Sequence, residues 1–472
     1  MSAHGGGGAA TGWFPVARAA DVGTTPLPVG ANGHAFVVVR LQPRGAVRAF
    51  PARCPHRLVP LSAASVVSGT LQCPFHGWRF DGEGRCVDIP SLGPTGTPPP
   101  RADLPMPWAV EERHGWVWLA PERTVVPTPP RPATEPVPQP APAPAPPQEP
   151  VFGNLHPALE RAWHPVALSR ELTDGGWLMT RLLGRTWQLR RNRSAAGGAG
   201  IEVEPPAAGV REHLGLVWLA PAEPADDLLD VPEATDRRFV SGWAPPERTS
   251  ANAAVIVDTL LDVAHFSFVH GTTFGTTDEL EVPAIALTHQ RHGFTSEEEQ
   301  DVAVLADARA TRRTATYVYR VPFQLRLRLE FPEAGAVTTV LFAFQPEDAE
   351  STRVYLRVLL SAGPGEALPA PDVLAEVAAA EHRLLLEDLR LLAGAALPGL
   401  PLRPRAELHL PGDRRGVALR SALADFAVDS AADAGDCTAE RDLSRSRRPH
   451  DRAGMLEACP SPSALAPSPP PS

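Results

Sequence analysis

Two groups of side chains in this sequence have the types and spacing of metal ligands. The first lies in CPHRLVPLSAASVVSGTLQCPFHGW, residues 54–78, as Cys54-x-His56 and, after sixteen intervening residues, Cys73-x2-His76. Each of two loops therefore offers one thiolate and one imidazole. A zinc finger more often pairs Cys with Cys and His with His. One of each per loop suits a cluster of two unlike irons, each loop sending its cysteine to one iron and its histidine to the other. Imidazoles in place of two thiolates raise the reduction potential of such a cluster. Cys86 falls outside this spacing and is expected to serve packing, while Cys437 and Cys459 lie in the C-terminal tail without a pattern. The second group lies in NAAVIVDTLLDVAHFSFVHGTTFG, residues 252–275, as Asp262-x2-His265-x4-His270. Two histidines and a carboxylate with open positions form the facial triad of non-haem iron(II) oxygenases. On its own this spacing is also met in core histidines, so its context decides.

The elements that must hold these loops follow from patterning. A first, all-β domain is expected over 12–122 and carries the first group. Residues 121–150 contain 13 prolines, which cannot form a helix or a sheet interior. They read as an extended, semi-rigid linker over 123–150. A repeat follows. AVEERHGWVWLAPE at 109–122 returns as GVREHLGLVWLAPA at 209–222, and WFPVA at 13–17 returns as WHPVA at 163–167. The second copy is about fifty residues shorter between Trp163 and Pro221 than the first between Trp13 and Pro121, and it lacks the four ligands. Residues 151–245 therefore read as a degenerate copy of the first β domain. Phe323, Leu325, Leu327, Leu329 and Phe331 alternate with polar residues, which marks a half-buried antiparallel strand. VTTVLFAF (337–344) and RVYLRVLL (353–360) read as further strands, and 372–394 has helical periodicity. Residues 246–428 are expected to form an α+β domain, an antiparallel sheet with helices in a helix-grip-like arrangement. Residues 1–11 and 429–472 are expected to be disordered.

Composition removes several function classes. The chain has 472 residues and a formal charge of −10. All 44 basic side chains are arginine, so Schiff-base, pyridoxal and P-loop chemistry, which need a lysine amine, are excluded. The acidic balance argues against nucleic-acid binding. Five cysteines make no disulfide framework. No apolar run approaches the length of a membrane span, and MSAHGGGGAATGW lacks the features of a secretory signal. A cytoplasmic location is the expectation.

With its flanks CPHR…PLS, CPFHGW and FDGEGRCVDIP, the first group closely resembles the Rieske cluster motif, and with the second group behind it the whole chain resembles a Rieske non-haem iron oxygenase. The resemblance implies a 2Fe-2S cluster on Cys54, His56, Cys73 and His76, and a mononuclear Fe(II) on His265 and His270. Asp262 would be the acid that links a cluster histidine of a neighbouring subunit to an iron-ligating histidine. Where the family commonly has Glu-Asn, this chain has Asp258 and Thr259. The third iron ligand is an acid in AEVAAAEHRLLLEDLRLLAG, and helical geometry separates the candidates. Asp388 lies among Leu384, Leu385, Leu391 and Leu392 on the apolar face, where an unpaired carboxylate is costly. Glu387 has Arg383 and Arg390 at pairing distance on its own helix and reads as a solvated ion pair. Glu381 is the alternative third ligand. Asp413 and Arg420 resemble the family's late acidic and basic pair.

The family uses dioxygen and electrons to hydroxylate, demethylate or desaturate small molecules, as mono- or dioxygenases. No dinucleotide fingerprint or plant-type ferredoxin cysteines occur here, so a separate NAD(P)H-dependent reductase or ferredoxin must supply electrons. The family's head-to-tail trimers set each cluster beside a neighbour's iron, so a homo-oligomer with transfer between chains is expected. The substrate reads as apolar, with aromatic or polycyclic molecules in view. Two other classes remain: a Rieske electron carrier or redox sensor, and a binding module with a decayed second site.

Overall fold

The computed structural model describes residues 11–142, 150–192, 200–271, 273, 280–282, 285–301 and 312–445. The alternation around Leu327 becomes the strand Gln324–Phe331, the centre of an eight-stranded antiparallel sheet. Its order is Phe239–Trp243, Ser351–Ser361, Ala336–Asp348, Gln324–Phe331, Arg312–Arg320, Gly293–Asp301 and Leu287–Gln290, with Glu247–Thr249 also on Ser351–Ser361. Leu325, Leu329 and Phe331 turn one face inward. Against this sheet lie helix α1 (Ala253–Leu260), the long helix α3 (Pro371–Ala395) and the start of helix α4 (Arg414–Arg445), while the short helix α2 (Phe266–Val269) sends Val269 to the core of the first β domain. Asn252 caps α1 by accepting from the Ala254 amide at 3.0 Å, which satisfies a donor that the helix cannot.

The first β domain has two three-stranded sheets, Phe14–Arg18 with Trp116–Ala120 and Ala109–Arg113, and Leu27–Ala31 with His34–Arg40 and Val47–Pro51. A separate four-stranded sheet, Ser65–Val67, Thr70–Gln72, Arg79–Phe80 and Cys86–Asp88, carries the ligand loops. Residues 164–220 repeat the two three-stranded sheets. Phe14 faces Leu119 and Pro15 faces Trp118, with a bulge before Ala17; His164 faces Leu219 and Pro165 faces Trp218, with a bulge before Ala167. Arg40 bonds Val22 O, Ala19 O and Glu112, and Arg191 bonds Leu172 O, Ser169 O and Glu212. Among the described residues of this second domain nothing corresponds to the four-stranded sheet.

Three boundaries differ from the sequence expectation. Phe239–Trp243 pairs with Ser351–Ser361, so it belongs to the large sheet and not to the second β domain. Residues 429–445 are helical, because ADFAVDSAADAG and its continuation are rich in alanine, the strongest helix former; residues 1–10 and 446–472 lie outside the described residues. The proline segment is not a free tether along its length. Trp13 Nε1 donates to Val126 O at 3.1 Å, Arg18 pairs with Glu135, and Gly30 N donates to Gln139 O at 3.3 Å. Extended proline-rich backbone has unused carbonyls, and the first domain supplies donors to them.

Candidate functional site

The loop after Val47–Pro51 brings in Cys54 and His56, and the turn after Thr70–Gln72 brings in Cys73 and His76. All four are buried. The two imidazoles face each other, Nδ1 to Nδ1 at 3.1 Å, and Trp78 stacks on His56 at 4.6 Å between centroids. The two thiols interact with each other: burial raises the Cys54 thiol, and the Cys73 thiol, against its own burial, is lowered. The donors thus form a sulfur pair and a nitrogen pair. Among the described residues the one group whose ligand atoms all lie within 4.8 Å is another, His265, His270 and Asp388. The four loop donors therefore do not converge on a single ion, as structural zinc requires. Separate pairs fit a two-iron cluster with thiolates on one iron and imidazoles on the other. Cys86 is buried apart from them, its thiol pushed up to about 12 by burial.

Both outward nitrogens are held by acids. His56 Nε2 meets Asp413 Oδ2 at 3.0 Å, and His76 Nε2 meets Asp262 Oδ2 at 3.0 Å. This leaves each Nδ1 to the cluster, since the partner of one ring nitrogen fixes what the other can do. Arg57, next to His56 in the sequence, enters a cluster of acids. It lies 3.0 Å from Asp413, 3.0 Å from His409, and 3.7–3.9 Å from Glu407, Asp258 and Asp262. Arg420 holds Asp258 in a bidentate pair at 2.8 and 3.0 Å and also bonds Glu407. Against the upward push of burial, His76 and Arg57 hold Asp262 far below the usual carboxylate range. Arg57 and His56 do the same for Asp413. Gly416 makes the space for this cluster, because a Cβ there would sit 2.7 Å from Asp258 Oδ1 and 3.1 Å from Arg57 Nη2.

The second group closes around α1, α2 and α3. His265 Nε2 and His270 Nε2 are 3.1 Å apart, and Asp388 Oδ1 lies 3.3 and 3.2 Å from them. Donors at these spacings could share one metal ion. Asp388 Oδ1 is buried with no hydrogen-bond partner of its own, an expensive arrangement that a cation relieves. Burial raises the Asp388 carboxyl, and the two histidines more than offset it. The residues present fit an iron(II) site.

Two side chains differ from their sequence reading. Glu387 is not a solvated ion pair: His270 Nδ1 meets its Oε2 at 2.7 Å, and Thr273 donates to its other oxygen. It orients His270 from behind, as an outer acid does for a ligating imidazole. Asp262 makes one half of the expected bridge, to His76. Its Oδ1 accepts from the Ala264 amide at 2.8 Å, and His265 Nδ1 has no partner. The His76 and His265 rings are nonetheless 6.4 Å apart. Glu381 lies outside the convergent group. Sequence reasoning missed Arg57, Glu407 and His409; the one signal was an arginine directly after a ligand histidine.

Residues 12–100 match the Rieske 2Fe-2S domain, and residues 249–428 match the vanillate O-demethylase oxygenase C-terminal domain. With the donor sets above, the two matches imply a Rieske cluster and a mononuclear iron. Relatives include protein TIC 55, chloroplastic, of Arabidopsis thaliana (35% identical over 26% of this chain and 22% of its own). The dicamba O-demethylase oxygenase component of Stenotrophomonas maltophilia is 36% identical over 23% of this chain and 31% of its own. The 3-chlorobenzoate-3,4-dioxygenase oxygenase subunit of Comamonas testosteroni is 36% identical over 25% and 28%. The chain thus spans less than a third of each of these relatives. A solved structure of dicamba monooxygenase bound to dicamba aligns over 89% of this chain and 98% of its own, at 16% identity and a TM-score of 0.38, too loose to transfer detail. No helix among the described residues is long and apolar enough to cross a membrane.

Proposed function

We propose that this chain is the oxygenase component of a Rieske non-haem iron system. Cys54 and Cys73 hold one iron of the 2Fe-2S cluster, His56 and His76 hold the other, and His265, His270 and Asp388 hold Fe(II). The bound groups supply one-electron transfer and dioxygen activation. The chain's residues do the rest. Asp262 holds His76 by Nε2 and so fixes the edge of the cluster site that faces the iron ligands. Glu387 fixes the His270 ring, and α1 and α3 keep bulk water from the buried triad. A separate NAD(P)H-dependent reductase or ferredoxin supplies the electrons. Relatives named for chlorobenzoate, dicamba and 4beta-methylsterol support a small apolar, aromatic or polycyclic substrate, to be hydroxylated, demethylated or desaturated. Residues 163–221 are, on this reading, a second copy of the Rieske frame without its ligand loops; the matching strand registers and the Arg40 and Arg191 networks support it.

The observation that carries the proposal is the closeness of the two donor sets, with the His76 and His265 rings 6.4 Å apart. The test is metal content with oxygen uptake. Purified protein should hold about three irons and two sulfides per chain. Cys73→Ser should remove two irons and the Rieske spectrum, and His265→Ala should remove one. Oxygen uptake with a surrogate reductase over aromatic, methoxylated and steroid compounds then finds the substrate. Two irons in the unmodified protein, with no uptake, would make it an electron carrier instead.

A further inference from the structure

We propose that the indole N–H of Trp78 donates a hydrogen bond to a sulfur of the 2Fe-2S cluster and so raises the reduction potential of the centre that receives the electrons. The inference rests on the assignment of that cluster to Cys54, His56, Cys73 and His76.

Three observations carry this. The first is an unmet donor. Trp78 is 0% exposed, and its Nε1 has no hydrogen-bond partner. An indole nitrogen donates and never accepts, and a buried donor without an acceptor bears the full cost of its desolvation. The other fully buried tryptophans avoid that cost. Trp13 donates to Val126 O at 3.1 Å, Trp187 to Leu182 O at 3.3 Å and Trp218 to His213 O at 3.0 Å. Among the described residues Trp78 is the one fully buried tryptophan whose indole has no acceptor within the chain.

The second is place. Trp78 closes the second ligand loop, its carbonyl accepting from the Cys73 amide at 2.8 Å. Its ring lies 4.6 Å from the His56 ring, with 10° between the planes. One side chain therefore touches both loops: it grows from the loop of Cys73 and His76, and it stacks on the histidine of the other. Cys54 and Cys73 share one buried cluster of side chains with Trp78, together with Leu61, Phe75 and Phe80. The apolar members of that cluster offer no acceptor, and a water among them lacks the two to four polar partners that a buried water needs. The sulfurs that the cysteines bring are the acceptors at hand.

The third is the comparison of the two β domains. Trp118 donates to Arg113 O at 3.0 Å, and Trp218 in the second domain makes the same bond to the carbonyl five positions before it, that of His213. The four-stranded sheet beside Trp78 has no counterpart among the described residues of the second domain. The unmet indole thus goes with the ligand loops and not with the β frame. Its effect follows from charge. Hydrogen bonds to the sulfurs are among the determinants of a cluster's potential. An added electron makes the sulfurs more negative, so a donor aimed at one holds the reduced form more tightly than the oxidised form, and a dry site strengthens the difference.

The experiment is pulsed EPR of the reduced full-length protein, with its cluster in place, grown on tryptophan carrying nitrogen-15 in the indole. Trp78 is the only tryptophan in the side-chain cluster that holds Cys54 and Cys73, so a nitrogen-15 coupling on the Rieske signal, absent from unlabelled protein, is the expected result. Trp78→Phe keeps a ring to stack on His56 and has no N–H; it should retain the Rieske absorbance and lose the coupling. At a fixed solution potential its ratio of reduced to oxidised cluster should fall by about tenfold, which for a one-electron couple is about 59 mV. A Rieske signal without nitrogen-15 coupling in the labelled native protein overturns the proposal, and so does an unchanged potential in Trp78→Phe. If that variant fails to hold the cluster, the labelled native protein decides alone, its coupling upholding the bond and its lack of one refuting it. A native protein without any Rieske signal would overturn the cluster assignment itself, and the hydrogen bond with it.

Discussion

Replacing Arg57 by methionine removes the one cation that the cluster loop places among Asp258, Asp262, Glu407 and Asp413. Methionine keeps much of the length and the apolar stem, so the loss is chiefly of charge and hydrogen bonds. Arg57 is buried, and so are its four acidic neighbours, apart from a few per cent of surface. Arg420 stays, but it is already committed to Asp258 and Glu407. Asp262 and Asp413 keep their histidines and one backbone amide each, from Ala264 and Leu410. Stripping one partner from a buried ion network costs about 3–5 kcal/mol, because charges stay buried without compensation. At 1.4 kcal/mol per factor of ten, docking should weaken by roughly a hundredfold to several thousandfold. Hydrogen exchange reads this directly. The Leu408 and Val282 amides donate across the contact to Pro55 O and Ser91 O, so opening exposes them. Their protection should fall by that factor, while amides of the large sheet, such as Val340 opposite Leu327, should hardly change. Arg57→Lys should lie between, since an ammonium cannot reach Asp413 and His409 with two separate arms. Unchanged protection at Leu408 and Val282 in the methionine variant would refute the reasoning. An equal fall at every amide would show that Arg57 serves the whole fold and not the contact.

Asp262→Asn should keep both metals and the Rieske spectrum yet lose most turnover; loss of the mononuclear iron would make Asp262 a ligand. Glu387→Gln should weaken iron(II) binding by about 10- to 100-fold, the usual effect of losing an outer acid behind a ligating histidine; titration of the metal-free protein checks it, with Glu381→Gln as the comparison. His164 is buried in the second β domain, where burial pulls its pKa down to about 4 and Leu159 O accepts from Nε2 at 2.8 Å. The unfolded chain binds a proton there below about 6.5, and the folded chain does not until about 4. Stability therefore falls as pH drops through that window, by about 3 kcal/mol in total. His164→Gln, which keeps a donor but does not titrate, should flatten that part of the urea-unfolding profile, and an unaltered slope would dismiss His164 as its source.

The ligand residues were legible because metal chemistry demands particular side chains at fixed spacing, and both sets lie in short segments. Asp388 was legible for another reason: a carboxylate on the leucine face of a helix needs a partner, and the structure sets it between His265 and His270. Glu387 was misread because spacing along one helix reveals neighbours on that helix alone. Its partner, His270, comes from 117 positions away. The same limit hid the Arg57 nest, which joins residues 57, 258, 262 and 407–420. Only the folded chain brings these together. The strands of the large sheet were legible from alternation. The placing of Phe239–Trp243 in it was not, because an edge strand owes its membership to its partner, here Ser351–Ser361.

The interfaces of the two β domains differ in kind. The second rests on the large sheet through indole and phenol rings, with Arg357 over Trp243 and Arg353 over Tyr355 at its margin. Backbone bonds from Leu183 N to Pro346 O and from Gly184 N to Glu347 O, and an ion pair of Arg353 with Glu171, complete that contact. The first rests through histidines, one guanidinium and carboxylates, where a change of charge at the cluster edge is felt at once. His56 and His76 are each only 2% exposed when docked, so the histidine edge that faces the iron site is closed to a reductase. Electron entry must use another face of the cluster domain or a released form of it.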